Sequence, residues 1–367
     1  MHEKYSDYFI CPQCSQLLTL KVFKSEAFHL RDGIFCCSNQ EHLFPLMNGV
    51  PRMLSPELLA TVIDSDKLKN WISIYSSKLP EQYFKKLDNL LYSVVFSRKA
   101  KTASYYAFQW KKYDAQNMTT YDEAEFLRLT GGLLDTNEYA EKSIIDAGAG
   151  QGRFTGLFLD VGIKKIVCFD LSEAIELAYE KYNFDERVLC VQTDIFNLPI
   201  TAKQFDLAIC IGVLQHLPDP YKGFISLCSM AKPGGRVFAW TYNVSVVTHV
   251  IQAIRMFCSW LPIKLIWHVA TIVTLPRYVL ALIGKFLRVI KLNRVADSLP
   301  LSQYEGYSFH YLHVNSFDFL HTPIINYFTR NDLKQWMEKS CSVDYKLIER
   351  FPRRAGASWI IDVISSG

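Results

Sequence analysis

The chain has 367 residues, half of them apolar, and a formal net charge of only +4. A sizeable core plus accessory parts is within reach, while so small a net charge decides nothing about nucleic acid. The N-terminal stretch MHEKYSDYF has no apolar h-region, and no run of about 18 uncharged apolar residues follows. Neither a secretory signal nor a membrane span is therefore expected; a cytoplasmic protein is, with membrane association through a later segment as an option.

The first predicted element is a small module over residues 1–56. Cys11-x-x-Cys14 in FICPQCSQLL is followed by Cys36, Cys37 and His42 in GIFCCSNQEHLF. Two thiolates on a tight knuckle with a second pair about twenty residues on is the spacing of a structural tetrahedral zinc site. Cys11, Cys14, Cys37 and His42 are the best ligand set. The metal would substitute for a core that about fifty residues barely build. Gln40 stands where the last cysteine of a second Cys-x-x-Cys would fall, and a ribbon held by packing alone is the alternative. With CPQC, Phe44-Pro45 and NGVPRML at 48–54, residues 9–56 resemble the zinc-ribbon-like domain that partners, or is fused to, many methyltransferases. Cys168, Cys190, Cys210, Cys228, Cys258 and Cys341 are scattered among apolar neighbours and read as reduced core residues.

Residues 57–103 read as connecting helices and residues 104–245 as a cofactor-binding core. In KSIIDAGAGQGRF a buried strand, Ile144 to Ala147, runs into a loop with Gly148, Gly150 and Gly152 and then a helix from about Arg153. Such glycines let backbone approach a ligand, and the helix start offers free amides. A dinucleotide site wants G-x-G-x-x-G, but Arg153 holds the third glycine position and Asp146 opens the loop. A carboxylate repels a pyrophosphate and attracts the ammonium of an amino acid, which favours S-adenosylmethionine over NAD.

Three further strands extend the pattern. IVCFD ends in Asp170, suited to ribose hydroxyls; RVLCVQTDI ends in Asp194 and Ile195, suited to adenine; QFDLAICIG ends at Ile211 and Gly212. These runs, with AKPGGRVFAWTY after them, resemble a class I S-adenosylmethionine-dependent methyltransferase of the small-molecule type that includes quinone-biosynthesis enzymes. The resemblance implies an α/β, Rossmann-like seven-stranded sheet. It implies that Asp146, Gly148, Gly150 and Gly152 line the methionine part, Asp170 and Leu171 the ribose, and Asp194 and Ile195 the adenine, with Ile211 and Gly212 near the sulfonium. FQWKKY at 108–113 resembles a segment that closes over the cofactor. His216, in GVLQHLPDP, is the candidate general base, with a purely structural histidine as the alternative. The Asn/Asp-Pro-Pro-aromatic motif of base-amine and glutamine methyltransferases is missing after strand four, which argues against such acceptors.

Residues 246–300 are a basic apolar insertion. Between Asp219 and Asp297 there is no acidic residue but ten lysines and arginines, which leaves about −6 (4 minus 10) for the rest of the chain. Pro262 and Pro276 divide the insertion into predicted helices of about 12 residues, too short to span a bilayer. Its basic residues with Trp260, Trp267 and Phe286 fit an in-plane membrane element over 246–292, or a lid whose apolar face is core. Residues 301–367 are expected to finish the sheet, with a helix over 330–339 begun by Thr329 and Asp332 and strands near 342–351 and 357–365. Asp318 and His321 are placed in the preceding loop as candidate substrate contacts. The favoured reading is a methyltransferase acting on a hydrophobic or amphipathic small molecule or lipid. An rRNA or tRNA methyltransferase using the zinc module is the alternative, disfavoured by the aliphatic content of the basic segment.

Overall fold

A computed structural model describes residues 1–38, 41–91, 97–112, 119–244, 246–258, 260–299, 307–340, 344–349 and 357–362. Gln40, Tyr113 and Cys341, singled out above, lie outside them. The chain divides into two compact units, Met1–Val244 with Ile324–Gly367, and Ser245–Pro323.

In the first unit, four strands come first: β1 (Leu18–Glu26), β2 (His29–Cys37), β3 (Leu43–Met47) and β4 (Val50–Met53). Helices α1 (Pro56–Val62), α2 (Ser65–Tyr75), α3 (Glu81–Leu91), α4 (Arg98–Lys112) and α5 (Thr119–Thr130) follow. An alternating series comes next: β5 (Ser143–Ala147), α6 (Thr155–Asp160), β6 (Lys165–Asp170), α7 (Ile175–Tyr182), β7 (Val188–Thr193), β8 (Phe205–Ile211), α8 (Pro220–Met230) and β9 (Ala231–Thr241).

The strands form one sheet in the order β1-β2-β3-β4-β7-β6-β5-β8-β9-β11-β10, where β10 (Asp344–Glu349) and β11 (Ala357–Asp362) come from the end of the chain. Strands β7, β6, β5, β8 and β9 run parallel, and β11 is antiparallel to β9 and β10. Neighbouring residues on the parallel strands enter different cores: Ile144 and Ile166 pack on one side of the sheet, Ile145 and Val167 on the other. Both faces are thus covered, as a parallel sheet requires. The C-terminal strands and the capping box of α13 (Arg330–Lys339), with Thr329 and Asp332 bonding reciprocally, lie where the pattern put them.

Seven strands were expected, with a separate N-terminal module; among the described residues seven come from Ser143 onward, and the module's four join the same sheet to make eleven. The N-terminal strands form an antiparallel meander whose last member, β4, pairs parallel with β7 through Arg52 opposite Gln192 and Met53 opposite Thr193. The side chains enforce that junction. Arg52 is fully buried and donates from Nη1 to Gln192 Oε1 at 2.8 Å and from Nη2 to Glu176 of α7. Lys67 of α2 adds bonds to Glu176 (2.5 Å) and Glu173 (2.9 Å). A buried guanidinium persists only when its charge is compensated; Glu176 supplies that charge and Gln192 a second acceptor, while Nε has no hydrogen-bond partner among the described residues.

The second unit is helical: α9 (Val246–Cys258), α10 (Ile263–Val289), α11 (Asn293–Ser298) and α12 (Phe309–His321). Three expectations change here. Pro276 does not divide the insertion, because α10 runs through it for 27 residues. Ala270, Thr274, Ala281 and Gly284 bury one face of α10 on both sides of the proline, and that continuous packing outweighs the roughly 3 kcal/mol an interior proline costs. This helix is long and apolar enough to cross a membrane by length and composition, contrary to the expectation that no such segment exists. Finally, the unit extends to Pro323, so Asp318 and His321 belong to α12, not to a loop of the sheet domain. Ser308 caps α12 by accepting from Tyr311 N, and the Phe317 and His321 rings meet at 4.4 Å, tilted by 41°.

Replacing Arg52 with Ala should destabilise the first unit by about 3 kcal/mol, because Glu176 and Gln192 lose a buried partner. Urea denaturation followed by tryptophan fluorescence reads this. A midpoint equal to that of the wild type would show that the ion cluster does not hold the junction.

Candidate active site

At the carboxyl ends of the parallel strands lies a cavity of about 180 Å³. Its floor comes from the predicted residues: Asp146 near the end of β5 with Gly148 and Gly150 after it, Asp170 ending β6 with Leu171 after it, Asp194 and Ile195 after β7, and Ile211 ending β8 with Gly212 after it. Parallel pairing aligns Asp146 with Cys168 and Asp170 with Gln192, so the acidic residues converge from adjacent strands.

The glycine loop is shaped by close approach. Gly148 has φ +87°, and a Cβ there would lie 2.1 Å from Val213 Cγ2. Its amide and that of Ala149 both donate to the Phe169 carbonyl, which folds the loop back over β6. Gly152, expected to face the ligand, instead packs against α7: a Cβ there would lie 2.9 Å from the Tyr182 ring and 3.1 Å from Ala178. It is not among the cavity-lining residues.

Each carboxylate has its own environment. Asp170 accepts from Gly150 N (2.9 Å) and from Ser172 N and Oγ (2.7 Å each). Burial pushes its pKa up while those bonds pull it down, with a net rise. Asp146 is pushed up to about 7, by burial first and by the neighbouring Asp170 second. Asp194 accepts from Lys99 and from Phe196 N (3.2 Å), and Lys99 also sits 4.6 Å above the Phe196 ring.

The cavity wall opposite the strands is α4. Lys99, Thr102, Ala103, Tyr106 and Trp110 line it at steps of one helical face. A Cβ on Gly150 would lie 3.2 Å from Trp110 Nε1, so the FQWKKY segment does approach the glycine loop. Lys111 ties this helix to Glu173 at 2.8 Å. Of these residues the sequence flagged only Trp110, through its motif. Lys99 and Tyr106 carried no local signal, although their spacing on a helix ahead of the glycine loop was available.

His216 lines the same cavity and is buried. Its Nδ1 lies 2.9 Å from the Ile324 carbonyl, which can only accept, so Nδ1 carries the proton and Nε2 presents a lone pair. The Tyr106 hydroxyl donates to that Nε2 at 2.8 Å. Asn326 clamps the same turn by donating from N to the Gln215 carbonyl (2.7 Å) and from Nδ2 to the Leu217 carbonyl (2.9 Å). Beside Gly212 lie Gln215 and Trp240, each with buried polar atoms that have no hydrogen-bond partner among the described residues.

The second cluster is in the N-terminal module. Ligand atoms of Cys11, Cys14, Cys37 and His42 lie within 4.8 Å of one another, with His42 Nδ1 at 3.5 Å from Cys11 Sγ and 3.7 Å from Cys37 Sγ. Cys36 points away, toward the Ile34 carbonyl at 4.0 Å. The other described cysteines are free thiols.

Residues 145–239, from β5 to β9, match the family described as a methyltransferase domain. Among curated relatives, a tRNA U34 carboxymethyltransferase of Nautilia profundicola is 31% identical over 26% of this chain and 33% of its own. A ubiquinone biosynthesis O-methyltransferase of Stutzerimonas stutzeri is 29% identical over 28% of this chain and 46% of its own. The chain thus spans less than half the length of these relatives. Among solved structures, Haemonchus contortus phosphoethanolamine N-methyltransferase 2 in complex with S-adenosyl-L-methionine is 12% identical with a TM-score of 0.43, over 74% of this chain and 61% of that one. The family match spans the strands and loops that form the floor of the cavity.

Proposed function

We propose that the protein is an S-adenosylmethionine-dependent methyltransferase whose acceptor is a hydrophobic or amphipathic small molecule carrying an ionisable hydroxyl. The observation that carries this reading is the convergence of Asp146, Asp170 and Asp194 with the glycine loop and His216 in one cavity. Asp146 and the amides after β5 would hold the methionine end, Asp170 and Leu171 the ribose, and Asp194 and Ile195 the adenine. Lys99 must then yield or share Asp194 when adenine arrives. S-adenosylmethionine, when bound, supplies an electrophilic methyl on a sulfonium.

The chain's own task is to align the acceptor, keep water out and take a proton. His216 is built for the last of these, since its bond to Ile324 leaves Nε2 basic. Tyr106, hydrogen-bonded to that nitrogen, is placed to hand over the proton it receives from the acceptor. The ubiquinone O-methyltransferase relatives support a hydroxyl on an apolar guest; the tRNA carboxymethyltransferase relative supports a second reading, a nucleoside in RNA. Incubation of the protein and labelled cofactor with a lipid extract and with an RNA pool separates the two. Label in RNA alone overturns the first reading.

In the N-terminal module the donor set fits zinc. With metal–sulfur and metal–nitrogen bonds of about 2.3 and 2.0 Å, a tetrahedral ion holds such ligands about 3.5 Å apart. The observed separations of 3.5 and 3.7 Å agree. Zinc there would be a structural cross-link between the knuckle at Cys11 and the end of β2.

Three outcomes test these assignments. The ordinary carboxyl value for Asp146 is 3.8, and its rise to about 7 means that this carboxyl takes up a proton as pH falls through neutrality. A cationic ammonium favours the ionised form, so cofactor binding should weaken about tenfold from pH 8 to pH 6. Calorimetry reads it, and Asp146→Asn should bind weakly with a flat profile; equal wild-type affinity at both values would reject the ammonium contact. His216→Asn should lower kcat by about 10²-fold or more while leaving cofactor affinity unchanged, and Tyr106→Phe should lose less. Unaltered turnover in His216→Asn would remove the base. Elemental analysis should find zinc in the purified chain, Cys37→Ser should lose it, and chelation should depress the thermal midpoint by about 5 °C or more. A metal-free chain with a chelator-insensitive midpoint would leave the module held by packing alone.

A further inference from the structure

Unit Ser245–Pro323 carries an apolar surface that no soluble fold needs. Along α10, Ile272, Leu275, Val279, Leu282, Phe286 and Val289 are between 47% and 73% exposed. They repeat in steps of three and four, so they form one continuous stripe along a helix about 40 Å long. The opposite face packs within the unit, where Thr274 Oγ1 donates to Ser316 Oγ of α12 at 2.9 Å. At the junction of α9 and α10, Phe257 is 78% and Trp260 88% exposed. A patch of this extent marks an interaction site.

Charge identifies the occupant. Residues 245–323 hold seven lysines and arginines against three acidic residues, a net +4, which equals the net charge of the whole chain. Lys264, Lys285, Lys291 and Arg294 are exposed at the ends and flank of the stripe. Aliphatic and aromatic groups rimmed by cations fit an anionic bilayer surface: the stripe enters the acyl boundary, Trp260 sits at head-group level and the cations meet lipid phosphates. The helix does not suit a span, because α12 behind it brings His310, His313, Asn315 and Asp318 to the same depth.

We propose that the Ser245–Pro323 unit seats the protein on anionic membrane surfaces, with α10 lying in the interface plane. The proposal stands independently of the methyl-transfer reading.

Flotation of the full chain with vesicles of phosphatidylcholine, alone or mixed with phosphatidylglycerol, tests it. The wild type should float with the mixed vesicles only, salt should release it, and the triple variant Ile272→Glu/Val279→Glu/Phe286→Glu should lower the bound fraction at least about tenfold. Ile74→Glu, at an exposed apolar position in the first unit, should float like the wild type. Circular dichroism of each variant establishes folding, and should the triple variant unfold, Phe286→Glu alone takes its place. Four results would overturn the proposal: no flotation of the wild type; flotation of the folded variant at the wild-type level; wild-type protein that resists alkaline carbonate, which indicates a span; or dimers by light scattering without vesicle binding, which assigns the stripe to a second copy of the chain.

Discussion

Carboxylates do not leave water without compensation, and the parallel sheet forces three of them to its carboxyl-terminal rim. Their burial is set by the pairing of β5, β6 and β7, which leaves little room for them to diverge. Asp170 is compensated by backbone amides and Ser172, Asp194 by Lys99, while every resolved influence on Asp146 acts upward. The three carboxyls therefore sit in unlike settings before any ligand arrives: Asp146 with its pKa raised by burial and by Asp170, Asp170 among hydrogen-bond donors, and Asp194 paired with Lys99. Such divergent environments for like groups characterise sites that bind or react, more than sites that merely pack.

Much of this rim was legible because its signals are local. A strand followed by three glycines, and acidic residues at the ends of successive strands, report their geometry within a few residues. The same holds for Cys11, Cys14, Cys37 and His42, where spacing alone named the residues that the structure brings together. What escaped came from distance along the chain. Tyr106 meets His216 across 110 residues, and Ile324 meets it across 108. No periodicity encodes either contact. Gly152 was assigned to the ligand by its company in the loop, yet the side chains of α7 decide its role. Pro276 shows the converse error: a strong local rule overridden by packing along a whole helix face.

The two units differ in what they present to their surroundings. The first balances its charges, 33 basic against 33 acidic residues once the seven and three of residues 245–323 are set aside. It spends many of them in pairs such as Lys67 with Glu176 and Lys232 with Asp206. The second keeps its cations near exposed aliphatic groups. Balanced charge and exposed apolar surface are thus features of different segments of one polypeptide.

The pairing of β4 with β7 has an effect beyond shape. Without β4, the outer amides and carbonyls of β7 would be an open edge of the kind that invites strands from other molecules. Here the N-terminal meander occupies that margin and ends it in β1, whose Lys21 and Lys24 are exposed charges of the sort that discourage further addition. The small cysteine-bearing module therefore covers an edge that the parallel strands would otherwise leave open, and moves the sheet margin to a strand that carries charge.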